Sequence, residues 1–179
     1  MYFSKALVLA FAASALAMPT QDTKPQKRAG VLTATTYDNF QVSDGVAGNA
    51  LAEVNANFPI DQNDLAGVDA NDLAIILAAR VTAEDAETGT GGFNDAIDAA
   101  GSSTTAGKAL QVGKIKNKVL KLQLEVLGLQ IQQAQTGEDN SDKIAAEQTK
   151  LNTNIKLDEA AAGQTSQSID FSGNDDPSN

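Results

Sequence analysis

Cysteine and histidine are both absent from this chain. Without cysteine no disulfide can staple the fold, so stability must come from burying a core, which about 150 residues can supply. The two absences together remove serine–histidine triads, thiol nucleophiles and ordinary zinc, copper or haem sites. Tryptophan is missing too, and aromatics make up only 4% of residues, leaving little to stack on a sugar ring. Carboxylate-based hydrolysis is the one hydrolytic chemistry left open, and it is disfavoured because it needs two carboxyls held across such a cleft. The expectation is a protein that is not an enzyme and holds no cofactor.

Positive charge is also scarce. The chain carries 13 basic and 23 acidic residues, a net charge of −10. Four of those basic residues, Lys5, Lys24, Lys27 and Arg28, lie in the first 28 positions with Asp22 as the sole acid. The remainder therefore holds 9 basic against 22 acidic residues, a net charge of −13. Such a field repels nucleic acid and anionic lipid, so nucleic acid is not expected as a partner and membrane insertion is not expected either.

What is present begins with "MYFSKALVLAFAASALAMPT". One early lysine, a short apolar run and small residues at Ala15 and Ala17 make a secretory signal peptide with cleavage after Ala17. The run is too short to span a bilayer. The polar stretch "MPTQDTKPQKR" follows, and its closing pair, Lys27-Arg28, resembles the site of a kexin-type processing protease. Residues 18–28 then form a propeptide, and the mature chain begins at Ala29. No Asn-x-Ser/Thr acceptor occurs, although the threonines of "AGVLTATTYDNF" could carry O-linked sugars.

Beyond this threonine-rich arm the pattern is helical throughout. Ser43 or Asp44 offers an N-cap for a helix reaching Asn57, with Pro59 beyond its end. Asp61, Asn63 and Gly67 suggest a calcium loop, but glycine falls seventh and aspartate twelfth where an EF-hand needs glycine sixth and glutamate twelfth. The reading preferred is a helical turn starting at 61–64 and a helix from Ala70 to about Glu87 capped by Asp69. "TGTGG" breaks that helix and lacks the lysine and preceding strand of a phosphate loop. A short helix over 93–100 and the connector "GSSTTAG" come next.

The spacing predicts one long helix over 105–136. Val112, Ile115, Val119, Leu122, Val126 and Leu129 step by three and four along one face, and Leu120, Leu124, Leu127 and Ile131 along another. A helix lying on a membrane has one apolar face opposite a broad basic one; two stripes call for protein on two sides. Ile144, Leu151 and Ile155 mark a last helix over 141–162 that can pair antiparallel with it. The fold class expected is all-α: a small bundle around the long central helix, a single domain over 29–163, with 164–179 a disordered polar tail apart from Ile169 and Phe171.

Five of the nine basic residues after Arg28 fall within one fourteen-residue span: Lys108, Lys114, Lys116, Lys118 and Lys121. They could form a patch for an anionic ligand. The preferred alternative is that their stems cover apolar surface while their heads meet acids of neighbouring helices.

A short signal peptide, a Lys-Arg site before "AGVLTATTYDNFQVSDGVAGNAL", no cysteine, and a long leucine-rich helix before an acidic alanine-rich one together resemble the small secreted proteins of filamentous fungi, some of them candidate effectors. The resemblance implies an extracellular location and supplies no catalytic residues. Function is then expected to be binding, at the cell surface or in a host, to a protein, glycan or lipid partner. Its alternative is a binder similar to fungal hydrophobic-surface-binding proteins, whose helices open to expose the central stripes.

Overall fold

A helix with two apolar faces must be covered twice, and the computed structural model, which describes residues 29–177, is arranged around that requirement. An extended arm leads into helix α1 (Tyr37–Phe40), strand β1 (Gly45–Val46), helix α2 (Ala50–Asn57) and a 3-10 turn at Leu65–Gly67. Helices α3 (Ala70–Thr88), α4 (Phe93–Ala100), α5 (Thr105–Thr136) and α6 (Ser141–Ala160) follow, then strand β2 (Thr165–Ser166). The all-α expectation holds, since the only sheet among the described residues is the antiparallel pair β1–β2 with Gly45 opposite Ser166.

At 1.5 Å per residue α5 is a rod of about 48 Å. Thr104 caps its start, its hydroxyl accepting a hydrogen bond from the Gly107 amide at 3.0 Å. Leu120, Leu124, Leu127 and Ile131 pack against Ile75, Ile76, Ala79, Ala83 and Ala86 of α3 in the main core. Val119, Leu122 and Val126 meet Ala50 and Leu51 of α2 and Ile144, Leu151 and Ile155 of α6 in a second cluster. The second predicted stripe is thus buried under α3, while of the first Val119, Leu122 and Val126 are buried under α2 and α6, Val112 is buried beside Ala47 and Ala161, and Ile115 and Leu129 stay half-buried. The four-residue connector 137–140 turns the chain back, so α6 runs antiparallel to α5.

Alanines on α3 let the two helices approach closely. Gly128 belongs to the same contact: a Cβ there would lie 2.9 Å from Leu77 Cδ2. The glycine that weakens α5 as an isolated helix therefore makes room for α3.

Three expectations require correction. The first helix begins at Ala50, not at Ser43 or Asp44, because residues 45–46 are drawn into the sheet and the amides of Gly48 and Ala50 are satisfied by Asp158 of α6, both at 2.9 Å. The threonine-rich stretch from Ala29 to Phe40, which lacks helical spacing and is expected as an arm or short extended segment, ends in one helical turn, Tyr37–Phe40, whose two rings are buried edge-on with centroids 5.5 Å apart.

The third correction concerns the polar tail. Residues 164–177 are a strap bound along the bundle. Gln167 donates its amide to the Ala109 carbonyl at 3.1 Å, Tyr37 donates its amide to Gly173 at 2.8 Å, and Thr36 bridges Asn174. Ile169 and the Asp175 carboxyl are buried, the latter accepting the Thr35 amide. Backbone hydrogen bonds, the carboxylates of Asp44 and Asp175 and the hydroxyls of Ser166 and Thr82 fix this segment, and none of these leaves an apolar period in the sequence. Residues 178–179 lie outside the described residues.

The strap crosses α5 at Gly113, where the Gln167 carbonyl occupies the space a Cβ would need. Gly113→Ala is expected to cost about 1–3 kcal/mol, because backbone and not a flexible side chain must yield. Hydrogen exchange should locate the loosening in 164–177 while α3 and α6 keep their protection.

Candidate functional site

The lysine-rich span lies on α5, and its five side chains have different surroundings. Lys116 is wholly buried. Its Nζ lies 2.8 Å from Glu53 Oε2 of α2 and donates to the carbonyls of Asp44 at 3.0 Å and Val46 at 3.1 Å. An ammonium has three protons, and three acceptors surround this one. Lys116 therefore joins α5 to α2 and β1 and presents nothing to a ligand.

Lys121 and Lys118 face the acidic last turns of α3. Lys121 Nζ stands 2.6 Å from Glu87 Oε2 and 3.4 Å from Glu84 Oε2, and Lys118 Nζ is 3.6 Å from Glu87 Oε1. Arg80 of α3 pairs with Glu125 of α5 further along the same seam. Burial alone would raise the Glu87 carboxyl, but the hydrogen bond and charge of Lys121, with the charges of Lys118 and Lys114, hold it below the usual carboxylate range.

Lys108 is exposed near the start of α5. Lys114 turns toward α4, where its Nζ donates to Asn94 Oδ1 at 2.5 Å. Lys114 and Lys118 border a groove of about 640 Å³ between α4, α5 and α6. Ile97, Ile115 and Leu157 give it an apolar surface, and Asn94, Asp98, Gln111 and Asn154 supply polar groups. Leu157 remains 47% exposed. The groove thus combines a greasy floor with two ammonium groups, one bonded only to a neutral amide and the other at the long end of an ion pair.

Several polar groups elsewhere serve the fold. Asp64 and Asp69 cap helical turns by accepting the amides of Gly67 and Asn71. The buried Tyr37 hydroxyl donates to Asn117 Oδ1 at 2.8 Å, Asn117 Nδ2 donates to the Ala83 carbonyl at 2.8 Å, and burial pushes the phenol pKa up. Among the described residues no group of three or more metal-ligating side chains is placed to hold an ion, and no helix is long and apolar enough to cross a membrane. The processing residues Ala17, Lys27 and Arg28 lie outside the described residues.

The sequence indicated the lysines but not the groove. Asn94 and Asn154 are 60 positions apart and read as ordinary polar helix positions; only the packing of α4 and α6 on α5 brings them together.

Because the Glu87 carboxyl is held low in the folded state, its stabilising effect is present above the unfolded carboxyl pKa, about 4.3, and fades as pH falls through the folded value. Glu87→Gln should lower Tm at pH 6. Thermal melts of the two proteins should converge as pH drops below about 4.

No curated protein and no solved structure matches this chain. A family described as a domain of unknown function, DUF8454, matches it over residues 32–170, from the arm through every described helix to the middle of the strap, and the chain belongs to that family.

Proposed function

We propose that this is a secreted, non-enzymatic helical protein that acts by binding outside the cell, and that the groove between α4, α5 and α6 is its binding site. The leader with its Ala17 cleavage site and the Lys27-Arg28 pair support export and processing. The observation that carries the site is Lys114 and Lys118 bordering an open groove floored by Ile97, Ile115 and Leu157. That pairing fits a small amphipathic ligand whose anionic head meets the ammonium groups while its apolar body covers the exposed leucine.

The second reading, a protein whose helices open onto a hydrophobic surface, has less support. Opening would have to separate α5 from α3 across the Arg80–Glu125 and Lys121–Glu87 pairs, or from α2 across the fully buried Lys116. Opening would also take from Lys116 the three acceptors that the closed bundle gives it. Carboxylate hydrolysis has less still, since Asp64, Asp69, Asp72 and Asp158 are bound to backbone amides.

Titration with a medium-chain alkyl carboxylate, followed by amide chemical shifts, tests the proposal. Shifts should cluster at residues 94–98, 111–118 and 154–157, and the matching uncharged alcohol should bind several-fold more weakly. Lys114→Glu with Lys118→Glu should weaken carboxylate binding about tenfold, equivalent to 1.4 kcal/mol. Shifts spread over α3 and α6 with loss of helix protection would instead indicate opening, and no shifts at all would reject the groove as the site.

A further inference from the structure

Ala29 stands at a cleft of about 70 Å³ whose walls include Asp61, Asp64, Asp69 and Asp72. The arm is fastened there by Asp72, only 2% exposed, whose carboxylate accepts the Val31 amide at 2.9 and 3.1 Å and the Leu32 amide at 2.9 Å. Between clamp and cleft, a Cβ on Gly30 would lie 3.0 Å from Asp72 Oδ1 and 3.6 Å from Asp69 Oδ1. Gly30 therefore lies against the Asp69 and Asp72 carboxylates and Ala29 lines the cleft beside it, the arm being fastened by contacts two and three residues beyond Ala29, independent of any charge on Ala29. The bond immediately before Ala29 is the one that follows the dibasic pair Lys27-Arg28.

We propose that cleavage after Arg28 is a maturation step whose product, the α-ammonium of Ala29, docks as an internal cation in this aspartate-lined cleft. The reaction is a peptide hydrolysis performed by a dibasic-specific endoprotease. Water gives its hydroxyl to the Arg28 carbonyl carbon and a proton to the Ala29 nitrogen, the C–N bond breaks, and the new amine takes a further proton from solvent. A peptide nitrogen with one neutral donor becomes an ammonium with three, at a place where negative charge is concentrated. Docking then tightens the arm, which carries Tyr37 and Phe40 into the core.

The inference rests on the export and processing proposed above, and its test is separable from them. The purified full chain is cut in vitro with a dibasic-specific endoprotease, and acylation of the Ala29 amine is followed against pH by mass spectrometry. The amine should titrate at least one unit above the ordinary α-amino range of about 7.7–8.0. Asp69→Asn, which keeps a good N-cap for α3, should return it toward that range. A raised amine pKa stabilises the fold at pH values below the unfolded value and ceases to do so as pH rises through the folded one, so the cut chain should melt above its Ala29-acetylated form at pH 6–7 but not at high pH. Ordinary titration, indifference to Asp69→Asn, equal melting of the acetylated form at pH 6–7, or a bond that resists the protease would each overturn the proposal. N-terminal sequencing of protein recovered from a secreting cell asks the separate question of whether the cut is made in vivo.

Discussion

The architecture depends on the two-sided burial of α5. Leu120 and Leu124 on one face and Val119 and Leu122 on the other are almost completely removed from water. Burying a side chain of this kind is worth about 1.5–3 kcal/mol, so neither face can be left bare in a protein of marginal stability. Coverage by α3 on one side and by α2 and α6 on the other follows from that demand. The short α4 and the strap close what remains around Phe93 and Ile169.

Around this core a chain without disulfides uses buried charge to join distant segments. Asp72 holds the arm, Asp158 holds the start of α2 from 108 and 110 residues away, and Asp175 holds the arm from 140 residues away. In each case a carboxylate accepts backbone amides that would otherwise be orphaned, a bond roughly twice as strong as a neutral one. Lys116 does the converse, giving its protons to two carbonyls and one carboxylate. Because these closures form only when remote segments meet, they favour one arrangement of helices over others that would bury a similar apolar area.

The same economy of charge isolates the groove. Glu84 and Glu87 engage Lys121 closely and Glu53 engages the buried Lys116, while Glu87 reaches Lys118 only at 3.6 Å, so Lys114 and Lys118 are the members of the span that border this groove. A positive edge on a protein of this acidity is local, and screening confines its reach to about 8–10 Å at physiological salt. Recognition there would have to come from contact with the groove itself.

Periodicity and capping chemistry, both local properties, determined the long helix with its two stripes, the capped α3, the short α4 and the antiparallel return of α6. Asp69, Thr104 and the glycine-rich breaks act within a few residues, so their effects can be read along the chain. Tertiary structure alone decided that Asp158 caps α2, that the polar segment after Gly163 binds as a strap, that Gly128 accommodates Leu77, and that five neighbouring lysines receive different surroundings. Those outcomes depend on hydrogen bonds, ion pairs and close approaches between segments tens to more than a hundred residues apart, and such interactions have no period for a sequence to display.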